Sequence, residues 1–186
     1  TFSNTINSVS NTVTYDEETG ARITQPKNIN GNWSASGGFV FNTPLKNKKF
    51  TVSTFSDGSY NNMVGFTNLS GQTDSQKNTT RSLNLSERLN GTFRNDWFEF
   101  GLNGGIRYNV SKSTLQPQSD KETFDYSFGA SSNVTLPWDV TVSTDASYSM
   151  KRGYSEGLDR NELIWNAQIA KNFLKKKQAT ISLQIY

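Results

Sequence analysis

The sequence predicts an all-β fold, an antiparallel up-and-down meander of about nine long strands. Apolar and polar residues alternate along many segments, as they do in strands whose two faces meet different surroundings. No segment shows a convincing helical period, in which apolar residues recur every three or four positions. The connections between the alternating segments are long and short in turn, which is typical of a meander whose two ends face different surroundings.

The segment 97–111, WFEFGLNGGIRYNVS, shows the alternation most regularly. Its even-numbered positions from Phe98 to Val110 are apolar apart from Gly104, and its odd-numbered positions from Glu99 onward carry polar residues and glycine. Half-buried strands of soluble proteins usually run for about five or six residues. This segment therefore predicts an unusually long strand with one apolar and one polar side.

The other strands are predicted from the same pattern, in chain order. A poorer first strand is predicted around residues 2–14. Further strands are predicted at 32–41, 49–60, 82–93, 123–136, 139–150, 163–173 and 179–185. Their apolar sides carry Trp33, Ala35, Phe39 and Phe41; Phe50 and Val52; Leu83, Leu85, Leu89 and Phe93; Phe124, Tyr126, Phe128, Ala130, Val134 and Leu136; Val140, Val142, Ala146, Tyr148 and Met150; Leu163, Trp165, Ala167, Ile169 and Phe173; and Ala179, Ile181, Leu183 and Ile185. Glu87 is the exception in 82–93.

The connections differ in length between the two predicted ends of the sheet. Long polar connections are predicted at 15–28, 61–81, 111–122 and 151–162. Short connections are predicted at 42–49, 94–96, 136–139 and 174–178. A Greek-key sandwich has no reason to sort its connections in this way, so the sorting favours the meander.

Composition limits the class of protein. The chain has 186 residues, of which 33% are hydrophobic and 12% aromatic, with a mean hydropathy of −0.66. The aromatic content and the net charge of only +3 argue against disorder. The mild basic excess, without an Arg/Lys-rich helix, gives no indication of a nucleic-acid partner. No apolar run is long enough for a transmembrane helix.

The residue types of common catalytic and metal sites are scarce. The chain has no Cys and no His, which excludes Ser–His–Asp and Cys–His nucleophile systems, disulfides and ordinary zinc sites. The acidic pairs Glu17/Glu18 and Asp120/Glu122 lie in predicted loops, and GLNGG at 101–105 lacks the spacing of a phosphate-binding loop. We therefore expect neither an enzyme nor a cofactor or metal site.

Aromatic residues collect near both ends of the predicted strands. Beside the short connections lie Phe41, Phe50, Phe93, Trp97, Phe98, Trp138 and Phe173, and toward the long ones lie Tyr60, Tyr108, Phe124, Tyr126, Tyr148 and Trp165. Two such bands are typical of the interfacial girdles of a transmembrane β-barrel, whose strands need about ten residues to cross the bilayer. On this interpretation the opposite face lines the lumen and includes Glu99, Asn103, Arg107, Asp125 and Asp145.

A second interpretation is a soluble or surface-exposed antiparallel β-sheet binding module, for example one that binds glycans. Trp33, Trp138 and Trp165 would then be stacking platforms for the ligand. The two interpretations differ in where these tryptophans point, since all three face lipid in a transmembrane barrel.

Two stretches carry a resemblance to a known family. NGNWSASGGFVFNTPLKNKKF (30–50) and NELIWNAQIAKNFLKKKQATISLQIY (161–186) resemble strand–turn–strand units in the C-terminal barrel region of the bacterial outer-membrane β-barrel family related to TonB-dependent receptors. The resemblance extends over most of the chain from about Trp33. It implies the outer membrane of a Gram-negative bacterium and, for receptor-type members, energised uptake of a solute that the sequence does not identify.

The resemblance also implies partners. They are the lipid bilayer, the missing barrel strands and a plug from the rest of the protein, and an energising periplasmic protein or a surface lipoprotein. We expect residues 1–186 to be a partial barrel domain without a plug. If the short connections face the periplasm, the last strand ends outside, whereas single-chain barrels have even strand numbers and return to the periplasm.

Overall fold

A computed structural model describes residues 1–45, 49–69, 72–155, 157–173 and 179–186, and most of them lie in strands. The strands are β1 (Phe2–Thr5), β2 (Ser8–Tyr15), β3 (Arg22–Ile29), β4 (Asn32–Pro44), β5 (Phe50–Thr67), β6 (Gln76–Arg94), β7 (Phe98–Ser113), β8 (Lys121–Leu136), β9 (Val140–Arg152), β10 (Asn161–Phe173) and β11 (Ala179–Ile185). Short 3-10 turns occupy Pro117–Ser119 and Pro137–Asp139.

The main sheet confirms the predicted all-β meander. It has nine strands in the order β1-β4-β5-β6-β7-β8-β9-β10-β11, so strands that follow one another in the chain are neighbours from β4 onward. The pairs β1–β4, β8–β9, β9–β10 and β10–β11 are antiparallel. The sheet ends at β1 on one side and at β11 on the other and is not closed into a barrel.

The first predicted strand and the connection after it are wrong in extent. Residues 2–14 are divided between β1 and β2 by a break at Asn7, whose φ is 56°. The predicted connection 15–28 contains most of β3, which pairs with β2 in a separate two-stranded antiparallel sheet. The two strands are held by backbone hydrogen bonds and are rich in Ser, Thr and Asn, and apolar residues are few in β3.

The remaining long connections are shorter than predicted. β5 continues to Thr67 and β6 already begins at Gln76, so much of the predicted connection 61–81 is strand. The other two long connections shrink in the same way, because β7, β8, β9 and β10 each extend into them. The short connection predicted at 174–178 and residues 46–48 of the one at 42–49 lie outside the described residues.

Contacts within the chain define two compact units. The first comprises Thr1–Gly37, Gly58–Leu85 and Asn109–Glu122, and the second comprises Gly38–Asp57, Ser86–Tyr108 and Thr123–Tyr186. In the first unit, the β2–β3 hairpin bonds to the end of β5 and to the segment after it. Ser10 Oγ accepts a hydrogen bond from the Phe66 amide at 3.3 Å, and Ser75 Oγ donates to the Val13 carbonyl at 2.9 Å.

Strand register separates two faces of the main sheet in the second unit. Residues directly opposite in an antiparallel pair point to the same side. Phe128 lies opposite Tyr148, and Trp165 lies opposite Ala146, which collects aromatic and aliphatic residues on one side. We call this side the apolar face. The other side, which carries Asp145 and its partner Asn166, is the polar face.

Neither face is covered by a packed layer in the described part of the chain. The protein exposes 13330 Å², whereas a globular monomer of its mass exposes about 9,000 Å². Among the described hydrophobic residues, only Ile29 and Val64 are buried, at 5% and 8% relative exposure. Most large apolar side chains, including Leu102 and Leu163, are exposed. The apolar residues of the strands therefore form a surface and not the core of a sandwich.

Candidate functional site

One group of aromatic residues lies on the apolar face around the β6–β7 connection. The ring of Phe93 is 4.7 Å from that of Phe50 and 6.1 Å from that of Phe98, measured between centroids. Phe98 continues the group to Trp97 at 5.7 Å and to Phe100 at 6.4 Å. The structure thus brings together four of the residues predicted for the band beside the short connections.

The other residues predicted for that band lie apart from this group. Phe41 stacks on Phe39 at 6.5 Å. Trp138 lies in the turn between β8 and β9, is 81% exposed and has a φ of 66°, so strand alternation does not determine its side. Lys171 Nζ donates to the Trp138 carbonyl at 2.9 Å and lies 5.5 Å from the ring centroid of Phe173.

A second aromatic group joins β7 to β8 nearer the opposite ends of these strands. Tyr108 is 4.6 Å from Phe124, which stacks on Tyr126 at 6.1 Å. Tyr148 follows on β9, opposite Phe128. The structure therefore brings Tyr108, Phe124 and Tyr126 of the predicted second band together.

Trp165, the last residue of the predicted second band, makes a separate contact on β10. Its Nε1 donates to Thr144 Oγ1 at 2.9 Å across the β9–β10 pair. The indole ring remains about half exposed. A buried or half-buried indole N–H usually finds such a partner, while its ring stays available to apolar surroundings.

The residues predicted to line a lumen lie at odd-numbered strand positions of the polar face. Asn103, Arg107 and Asp125 border one cavity there, whereas Glu99 and Asp145 do not line it. Glu99 forms an ion pair with Arg94 at 2.6 Å. Asn103 covers Gly129, where an added Cβ would come within 2.5 Å of Asn103 Oδ1. Asp145 Oδ2 accepts a hydrogen bond from Asn166 Nδ2 at 2.9 Å.

Asp125 and Arg107 lie close together near the β9–β10 connection. Asp125 Oδ1 accepts a hydrogen bond from the Tyr154 hydroxyl at 2.8 Å. This bond, with partial desolvation, raises the pKa of Tyr154 above its usual value, while a hydrogen bond with Thr123 and the positive charge of Arg107 oppose the rise. Sequence reasoning missed Tyr154, because nothing in the order of residues shows that the connection folds back over β8.

A polar cluster on the apolar face was also missed as a site. The Glu87 carboxylate on β6 accepts hydrogen bonds from the hydroxyls of Thr54 and Ser56 on β5. The signal was present, because Glu87 interrupts the apolar alternation of 82–93. Two hydroxyls at alternate positions of one strand provide the donors that this carboxylate needs.

Other kinds of site are not indicated within the described ranges. No three potential ligands among their Asp and Glu residues lie close enough to hold a metal ion. None of the helical segments described is long and apolar enough to cross a membrane.

The geometry therefore gives a long-stranded sheet with one apolar face, one polar face and aromatic groups toward both strand ends. Residues 72–186 match the model of the outer membrane protein beta-barrel family, which is more than half of the chain. The chain belongs to this family. Comparison with curated proteins and with solved structures finds no match.

Membership of the outer membrane protein beta-barrel family establishes the bacterial outer membrane as the location of this protein. It also supports a role for the nine-stranded sheet as barrel wall. Proteins of this family are typically structural or transport proteins and not enzymes. The matched residues include all of β6 to β11, which carry both aromatic groups apart from Phe50 and most of the polar-face residues described above.

Proposed function

We propose that the chain forms part of the wall of a TonB-dependent receptor-like transporter that takes up a solute across the outer membrane. The observation that carries the proposal is the uncovered apolar face of the main sheet, opposite a polar face that runs along the same strands. In a membrane barrel the first face contacts lipid and the second lines the lumen. The aromatic groups near both strand ends then lie at the two interfaces.

The strand edges are consistent with a wall that needs further strands. β1 and β11 end the sheet, and the backbone groups on their outer sides have no neighbouring strand in it. In lipid each unpaired backbone group costs several kcal/mol, so open edges do not occur there. On this proposal the remaining strands and a plug come from the rest of the protein, and an energising periplasmic protein or a surface lipoprotein acts with it.

The facing of the sheet can be tested on β7. We expect a fluorophore attached in turn at 100, 102 and 106 to be strongly quenched by lipids that carry quenchers in their tails. A fluorophore at 103 should be quenched weakly, because Asn103 is on the polar face. Equal protection from lipid at all four positions would show that the apolar face is covered by protein, as in the soluble binding module.

Transport needs a separate test, made with the full-length protein in cells. Cells that produce it should accumulate its solute faster than cells that lack it, and a proton ionophore should abolish the difference if uptake is energised. Screening a panel of labelled small solutes would identify the solute. Uptake that persists with the ionophore would indicate a passive pore and contradict the receptor-like part of the proposal.

A further inference from the structure

A cavity of about 330 Å³ opens on the polar face across β6 to β9. Its floor is made of small residues in neighbouring strands. A Cβ added to Gly105 would meet Ser127 Oγ at 2.9 Å, and Ser127 lies opposite Ser149. Glycine in a strand often marks a place where another group approaches the backbone closely. Larger side chains at these three positions would fill the cavity.

Three cationic residues border this floor. Arg88 lies beside it, with Cγ 3.9 Å from the position of an added Gly105 Cβ. Arg107 is two residues beyond Gly105 on β7 and therefore points to the same side. Lys151 follows Ser149 on β9 by the same spacing. All three contribute to the lining of the cavity.

The negative groups nearby do not neutralise these cations. Ion pairs within 4.0 Å join Arg94 to Glu99 and Arg160 to Glu162, and none of these four residues lines the cavity. Asp125 also lines the cavity and lies opposite Lys151. Its Oδ1 accepts a hydrogen bond from the Tyr154 hydroxyl.

Glu87 borders the cavity as well, but its carboxylate is bound by hydroxyls that belong to the apolar face. Three cations and one carboxylate therefore leave the mouth of the cavity with an excess of positive charge.

We propose that this cavity binds the oxyanion group of a small solute, a carboxylate or a phosphate. The assignment rests on the proposed function, since it names the class of solute that would contact the lumen wall. Guanidinium groups bind such oxyanions in a planar, bidentate arrangement, and the serine hydroxyls of the floor can donate further hydrogen bonds. A wet site of this kind binds weakly, which suits a transport pathway because the solute must also leave.

The inference is tested by titrating the chain, labelled with ¹⁵N and held in detergent micelles, with sodium phosphate and separately with sodium succinate. Sodium chloride keeps the ionic strength constant. We expect saturable shifts of the Gly105 and Ser127 amide resonances. R107Q and K151Q should each weaken the apparent affinity about tenfold, because each removes one charge-assisted contact.

R94Q is the matched control. Arg94 is also a polar-face arginine of β6, but it is paired with Glu99 and does not line the cavity, so its loss should leave both titrations unchanged. Saturation with phosphate alone would assign the site to phosphates, and saturation with both anions would assign it to oxyanions in general.

Shifts that do not saturate, or affinities that R107Q and K151Q leave unchanged, would overturn the inference. Lipid quenching on β7 is independent of this titration. A chain that faces lipid as proposed but binds no anion would therefore contradict the solute class alone, and a chain that binds the anion but fails the quenching test would contradict the membrane wall.

Discussion

Leu102 lies near the middle of the predicted lipid-facing band and provides the sharpest test of the wall. It is 54% exposed on the apolar side of β7. Phe98 and Tyr108, which belong to the two aromatic groups, are ten residues apart on this strand. At a rise of about 3.3 Å per residue and a tilt of about 40°, they are about 25 Å apart along the membrane normal. This distance matches the height of about 25 Å of the apolar band of outer-membrane barrels.

The expected cost of a charge follows from this depth. Leu102 is four residues from Phe98, which places it about 10 Å above the first aromatic group and close to the midplane. Arginine on the lipid side near the midplane costs about 2–4 kcal/mol. Leu102→Arg should therefore lower the equilibrium constant for folding about 30- to 900-fold. Asn103→Arg, on the polar face, should change the free energy of unfolding by less than about 0.5 kcal/mol.

The assay is reversible urea unfolding in phospholipid vesicles, followed by tryptophan fluorescence. Leu102→Met is the control for shape, because it keeps a long apolar side chain without a charge and should cost less than about 1.5 kcal/mol. Equal losses of stability for Leu102→Arg and Asn103→Arg would refute the facing of β7. A loss for Leu102→Met as large as that for Leu102→Arg would mean that packing, and not lipid exposure, determines the effect.

Two further predictions concern polar groups that the structure revealed. Replacing Thr54 by Val and Ser56 by Ala removes the donors of the Glu87 carboxylate and should destabilise the protein in vesicles. Adding Glu87→Leu to this double variant should restore stability, because the unpaired carboxylate is then removed. If urea unfolding shows no recovery in the triple variant, this explanation is wrong. In the β2–β3 turn, the Thr19 hydroxyl and nearby amides donate to Asp16 and lower the pKa of its carboxyl group below 3.8. The stabilising contribution of the ionised Asp16 carboxylate should be present above pH 3.8 and lost as the pH falls through the lower folded-state pKa. An NMR titration that finds no shift in the pKa of Asp16 would contradict this prediction.

The strands that the sequence predicts best are those in which one face is apolar. The segment predicted at 97–111 is β7, Phe98–Ser113, and the segment predicted at 123–136 is β8, Lys121–Leu136. In such strands the alternation has a physical cause, because the two faces meet different surroundings at every second residue. The same cause indicates on which face Asn103 lies.

Strand β3 was missed because that cause is absent there. It carries polar residues and proline at successive positions in RITQPKNI, and apolar residues recur too rarely to mark a face. Backbone hydrogen bonds hold the hairpin together. Hydroxyl groups such as those of Ser10 and Ser75 attach it to residues more than fifty positions away in the chain. A turn signal was available in DEETG, where Asp16 caps the turn that Gly20 completes with a φ of 67°.

The candidate oxyanion site depends on strand register, which hydropathy does not determine in detail. The sequence shows that Gly105, Ser127 and Ser149 are small and that Arg107 and Lys151 are charged, but it does not show that they meet. A shift of one residue between β8 and β9 would turn Ser149 to the apolar face and close the cavity. The apolar residues exclude such a shift, because it would also turn Tyr148 and Met150 away from the apolar face. The apolar pattern thus determines which face these polar residues share, and the register of β8 and β9 determines which of them meet.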